Sequence, residues 1–149
     1  MNAKMSQRRL VVSALVAAGA LAIVSGCTSM SASTDTQTVT LSGANEVPPV
    51  TTSATGTATV TIKPDRSVSV KVSVSGMNAT ASHIHEGAAG TNGPVIVPFT
   101  KTADNTFAAP DGAKLTEAQY ESYKQGKLYV NVHTAANPGG EVRAQLKGS

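Results

Sequence analysis

The only three histidines of the chain stand where a strand pattern would bring them together. In Ser82-His83-Ile84-His85, alternation turns Ile84 toward a core and puts His83 and His85 on the opposite face, with α carbons ~6.6 to 6.8 Å apart. In Tyr129-Val130-Asn131-Val132-His133 the same rule buries Val130 and Val132 and turns Tyr129, Asn131 and His133 outward. Were the two strands neighbours, ~4.8 Å apart, the three imidazoles would form one site, with Glu86 or a water as a further ligand. Imidazole nitrogen suits copper or zinc. The competing expectation is that these are polar residues of a solvated sheet face, hydrogen-bonded to nearby loops.

Other chemistries lack a starting residue. The single cysteine is Cys27, so the rest of the chain cannot supply the thiolate of a blue-copper site, and three histidines are too few for a two-metal copper and zinc centre. There is no Gly-x-Ser-x-Gly nucleophile elbow. Glu46, Glu86 and Glu141 are scattered singly, with nothing to pair two of them as acid and base. Gly87 to Gly93 and Pro138-Gly139-Gly140 lack a following helix and a P-loop lysine and read as turns. Asn78-Ala79-Thr80 matches the glycosylation tripeptide, a match common by chance. No catalytic residue is assigned, and the expectation is a protein that is not an enzyme.

Strands must position the histidines. Thr57-Ala58-Thr59-Val60-Thr61-Ile62 alternates Ala58, Val60 and Ile62 with threonines, a turn follows at Lys63-Pro64-Asp65-Arg66, and Ser67 to Val74 repeats the pattern with four valines on one side. The two make a hairpin with one buried and one wet face. Further strands are expected at Val39 to Leu41, Ala81 to His85, Val95 to Phe99, Leu128 to His133 and Gly140 to Leu146. About seven short strands point to an all-β fold, an antiparallel Greek-key sandwich or barrel. In the last strand Glu141 and Arg143 both face outward and are expected to form a surface pair worth less than ~1 kcal/mol. One short helix is expected, because Leu115-Thr116-Glu117-Ala118-Gln119-Tyr120 carries a Thr-x-x-Gln capping box inside a Leu115/Tyr120 staple and Gly126 supplies a stop. A helix of that kind reads as a connection shielding a sheet edge rather than as a binding surface.

Ahead of the strands, Lys4, Arg8 and Arg9 precede an apolar run from Leu10 to Val24 that ends in Leu21-Ala22-Ile23-Val24-Ser25-Gly26-Cys27. The run is about 15 residues, short of the ~18 to 20 of a bilayer-spanning helix, which favours a signal over an uncleaved anchor. The segment resembles a bacterial lipoprotein signal, which implies cleavage before Cys27 and lipid on its thiol and new amino group. Residues 1–26 are then the signal, 27–37 the lipidated cysteine and a flexible Ser/Thr-rich tether reaching at most ~35 Å, and 38–149 one domain of ordinary size. With Thr28 rather than aspartate after Cys27, the resemblance implies a cell-envelope protein held in the outer membrane and facing the periplasm. Three of the twelve basic residues and none of the nine acidic ones precede Cys27, which leaves nine of each in the mature chain. With no basic cluster, two phenylalanines, three tyrosines and no tryptophan, nothing suggests a nucleic-acid partner.

Four blocks stand in order: Leu41-Ser42-Gly43-Ala44-Asn45-Glu46-Val47-Pro48-Pro49; His83-Ile84-His85-Glu86-Gly87-Ala88-Ala89-Gly90-Thr91-Asn92-Gly93-Pro94-Val95; Tyr129-Val130-Asn131-Val132-His133-Thr134; and Asn137-Pro138-Gly139-Gly140-Glu141-Val142-Arg143. Together they resemble the CHRD domain, first recognised in chordin and widespread in bacterial secreted proteins. The resemblance covers about Val39 to Leu146 and implies an immunoglobulin-like or dismutase-like β-sandwich or barrel with no established enzymatic activity. The family pattern usually has glycine where Ala144 stands and often glycine where Glu86 stands. What it implies for function is a non-catalytic binding or structural module, monomeric, with an unidentified protein or glycan partner; the alternative is a periplasmic protein binding copper or zinc through His83, His85 and His133.

Overall fold

The computed structural model describes residues 34–149. Cys27, the signal segment and most of the expected tether lie outside the described residues. Nine strands and one helix follow in the order β1 (Asp35–Ser42), β2 (Thr55–Ile62), β3 (Val68–Ser75), β4 (Ala79–Glu86), β5 (Val95–Pro98), β6 (Thr100–Ala103), β7 (Thr106–Ala108), α1 (Glu117–Lys124), β8 (Leu128–Thr134) and β9 (Val142–Gln145). β1 therefore begins at Asp35 and takes in three residues read as tether. Among the described residues no helix is long and apolar enough to cross a membrane.

All pairings are antiparallel and form one sheet in the order β5-β4-β8-β9-β1-β2-β3-β7-β6. The two edge strands, β5 and β6, are consecutive in sequence and separated only by Phe99. The chain thus passes directly from one edge of the sheet to the other and draws it into a nearly closed barrel, which removes most of the exposed edge. Phe99 N–H donates to Ser82 O at 3.0 Å, and Lys101 Nζ reaches Ala79 O at 3.5 Å, tying the β6 side back toward β4. The all-β antiparallel fold is as expected, but with nine strands rather than seven. The two that sequence missed, β6 and β7, are short, and all four β6 residues are exposed, so neither shows an apolar alternation to read.

β2 and β3 pair along their full length, Thr55↔Ser75 to Ile62↔Val68. Their turn is built as its residues dictate: Asp65 Oδ1 accepts from Ser67 N–H at 3.0 Å and Ser67 Oγ–H at 2.7 Å, and Arg66 takes φ 71°. The helix starts where its box predicts, with Thr116 Oγ1 accepting from Gln119 N–H and Gln119 Oε1 accepting from Thr116 N–H. It ends in a Schellman motif: Gly126, at φ 68°, donates to Tyr123 O, and Lys127 N–H donates to Ser122 O. Tyr123 is buried, and its hydroxyl bonds to Asp35 at the start of β1. The core is one cluster inside the barrel, including Leu41, Val60, Val72, Ile84, Phe107 and Val130.

Candidate metal centre

β4 and β8 are neighbours, as the histidine argument required, with His85 opposite Tyr129, His83 opposite Asn131 and Ala81 opposite His133. His133 is thus one diagonal step from His83 on the same face, a spacing long side chains bridge. His83 Nδ1 and His133 Nε2 are 2.9 Å apart, and one nitrogen from each of the three rings falls within 4.8 Å of the others. Three nitrogens at ~2.0–2.1 Å from one tetrahedral ion would be ~3.4 Å apart, so the cluster needs an adjustment of ~1.4 Å at most to hold one.

The face is not solvated. All seven residues of β8 are buried, and His85 and His133 are each 8 % exposed, with only His83 half-buried. Loops cover the outer side of β4, β8 and β9. The 87–94 loop folds back so that Gly93 O sits 2.8 Å from His85 Nδ1 and Gly93 N–H donates to the Tyr129 hydroxyl at 3.1 Å. A side chain at Gly93 would overlap the Glu86 carbonyl, so only glycine allows this approach. The loop after β8 brings Pro138 O to 2.9 Å from His133 Nδ1.

Arg143 holds this cover in place. It is 2 % exposed, not outward on the surface, and its guanidinium donates to Thr91 O at 2.8 Å, Asn92 Oδ1 at 3.2 Å, Gln145 Oε1 at 3.3 Å and Ala88 O at 3.4 Å. It also lies 3.4 Å from the centre of the Tyr129 ring, which stacks on His85 at 4.9 Å. The expected Glu141–Arg143 surface pair does not form: Glu141 is buried and accepts from Thr52, Thr134 and Asn137. Those bonds hold its carboxyl below the usual range, the Thr134 hydroxyl having the largest effect.

The hydrogen bonds fix the ring tautomers. A carbonyl only accepts, so His85 and His133 must carry their protons on Nδ1, which leaves Nε2 of both rings with a bare lone pair. His133 Nε2 then accepts from His83 Nδ1, and His83 becomes a third ligand by moving that proton to its own Nε2. Burial lowers all three imidazoles below their ordinary 6.5, with the neighbouring His133 and His85 adding to the effect at His83, which falls to about 4. Neutral rings with tautomers set by outer carbonyls are the form a metal ion binds. Neutrality by burial also moves proton competition below the ~6.5 of an unperturbed ring.

Glu86, read as a further ligand, is not part of the cluster. It shares the phase of Ile84, on the other side of the strand, and its Oε1 accepts from Ser122 Oγ on α1 at 2.6 Å. Sequence reasoning passed over Glu46 and Asn131 instead. Both are buried, and Glu46 Oε1, Asn131 Oδ1 and His85 Nε2 have no hydrogen-bond partner. For Asn131 the available signal was the alternation that turns it to the face of the histidines, and for Glu46 it was only its place in the first block. The family model described as CHRD domain matches residues 37–146. No curated protein and no solved structure matches the chain.

Proposed function

The chain belongs to the CHRD-domain family, and on that premise we propose that it is a non-catalytic cell-envelope binding module whose ligand is a copper or zinc ion held by His83, His85 and His133. The observation that carries this reading is the gathering of all three histidines into one cluster within 4.8 Å, with two of them buried and pinned through Nδ1 to backbone carbonyls. Among the described residues no further histidine, cysteine, aspartate or glutamate joins the cluster, and an exchangeable water fits the open fourth position of a three-histidine centre.

Anchoring rests on the sequence alone. The apolar run ending at Cys27 and the polar stretch after it support a lipid-held chain, in the outer membrane and facing the periplasm. Cells fed a clickable fatty acid should label the wild-type chain and not Cys27→Ala; label on both, or on neither, removes the anchor.

Calorimetric titration of the purified, chelator-treated chain with Zn(II) and with Cu(II) tests the centre. The wild type should bind one equivalent of at least one of the two ions, and replacing all three histidines with alanine should weaken it by more than ~100-fold, since loss even of outer-sphere partners costs 10- to 100-fold. Equal binding by both proteins, or none by the wild type, would sink the reading.

A further inference from the structure

Asn131 stands in the middle of the histidine face. It is opposite His83, one diagonal step from His85, and two residues along β8 from His133. It is 2 % exposed, and its Oδ1 bonds to no protein group. His85 Nε2, equally buried, is in the same condition. Both atoms are acceptors. The one ring proton of neutral His85 is committed to Gly93 O at 2.8 Å, which leaves Nε2 a bare lone pair, and an amide oxygen never donates.

The surroundings of Asn131 fix which end of its amide is the oxygen. Nδ2 donates to Gly139 O at 3.4 Å, and the same nitrogen and Glu46 Oε1 flank Gly140, where an added side chain would strike both. An amide oxygen turned to that side would face two further oxygens, so the nitrogen belongs there and Oδ1 points away. It points toward His85. Burial lowers the His85 imidazole, and the Gly93 carbonyl and the Asn131 side chain oppose that fall, as acceptors facing the ring do. Two bare lone pairs therefore share one buried place, which a folded protein ordinarily fills with a donor or a cation. His83 and His133 bring their own ring nitrogens to the same place, each within 4.8 Å of His85's. A convergence of four acceptors suits a cation.

We infer that Asn131 Oδ1 is a ligand of the same ion, a fourth protein donor beside His83, His85 and His133. The inference rests on the metal reading above and deepens it: the centre offers three imidazole nitrogens and one neutral oxygen, and the position otherwise left to water is taken by the amide. The bond from Nδ2 to Gly139 O then acts as the outer support that holds the ligating oxygen in place. Both unpartnered atoms gain their partner in one step.

Zinc titration of the chelator-treated, full-length chain, followed by carbon-13 NMR of the side-chain amides and by calorimetry, tests it. In the wild type the Asn131 Cγ signal should move with the three imidazoles as one equivalent of Zn(II) is added. The signal of Asn105, whose amide bonds to the backbone of Met77 and Ala79, should stay. Asn131→Ala should bind zinc about 10-fold or more weakly. Asn131→Asp, which keeps an oxygen in place and gives up the NH2, should bind at least as tightly as the wild type. An amide that served only to brace Gly139 O would instead make the two variants equally weak. The wild-type spectrum does not depend on the folding of any variant. An Asn131 signal that stays still while the imidazoles bind zinc, or an aspartate variant as weak as the alanine one, overturns the inference and leaves the three-histidine reading standing. If the wild type takes up Cu(II) alone, the same calorimetric comparison of variants with Cu(II) decides. A wild type that binds neither ion removes the reading and the inference together.

Discussion

The β2–β3 hairpin and the β4–β8 pair obey the same alternation, yet their outer faces have opposite fates. On β3 every second residue is buried and the rest are exposed, whereas β8 is buried at all seven positions. Over β1 and β2 the outer face carries threonines in matched rows, Thr38 opposite Thr59 and Thr36 opposite Thr61, whose hydroxyls bond to each other in the open. Over β4, β8 and β9 the same face carries His83, His85, Asn131, His133 and Arg143, and loops close over it. Alternation thus fixes which side a residue takes, while the loops decide whether that side meets water. Where the outer residues are polar and covered, each needs a partner, and those partners build the candidate site.

Arg143→Ala should show the difference most strongly. It leaves Thr91 O and Asn92 Oδ1 without their donor and frees the loop that caps His85, a loss of about 3 kcal/mol or more for a buried, multiply bonded side chain. Lys71→Ala, on the exposed face of β3, should stay within about 0.5 kcal/mol. Urea denaturation of both variants measures this, and equal losses would erase the distinction between the two faces.

Inner faces should behave alike, which sharpens the comparison. Val72 and Val130 are 1 % and 0 % exposed in the same core. Truncating either to alanine removes two buried methylene equivalents and leaves a small cavity, for a cost of about 2 kcal/mol. A Val130→Ala loss more than about twice that of Val72→Ala would mean that the two sides differ in their core as well as in their cover.

The covered face should also make stability depend on pH. Burial holds His83, His85 and His133 below 6.5, His83 at about 4, so between those values the unfolded chain binds more protons than the folded one. Stability of the metal-free protein should therefore fall as pH drops from 6.5 toward 4 and recover above. Glu46 opposes this: raised from 4.5 to about 7, it keeps its proton in the fold where the unfolded chain has lost it, a contribution that fades as pH rises through that window. Glu46→Gln removes the opposing slope, so its urea midpoint should fall more steeply on acidification than that of the wild type. An equal or shallower fall in Glu46→Gln would contradict the raised carboxyl.

What sequence could read divides along the same line. The capping box at Thr116, the stop at Gly126, the turn at Asp65 and the shared phase of the three histidines are local or periodic, and each is found where the residues predicted it. The alternation and the number of strands supplied the all-β fold class, and the family resemblance agreed with it. Arg143 was misjudged because a strand's period carries no information about a third layer; Glu46 lies outside the strands, and Glu86 was misplaced against its own period, since it shares the phase of Ile84. Arg143 alternates like a surface residue and is buried by the return of the 87–94 loop over it, while Glu141, just before β9, is enclosed by Thr52, Thr134 and Asn137. Strands β6 and β7 were missed for the converse reason: they are held by position at the closure of the barrel, with little apolar pattern of their own.

The smallest expected effect bears on the wet face. Thr59 is exposed, and its hydroxyl meets Thr38 Oγ1 at 3.2 Å. Both hydroxyls can turn to water when the partner is removed, so the pair carries little of the net ~1 kcal/mol of a typical protein hydrogen bond. Threonine does favour a strand over alanine through its branched side chain, a preference of a few tenths of a kcal/mol at an exposed site. Thr59→Ala should therefore change stability by no more than about 0.5 kcal/mol and leave zinc or copper titrations unaltered. A larger loss would mean that the threonine rows act as a connected network, and the open side of the barrel would then depend on its polar face as the covered side does.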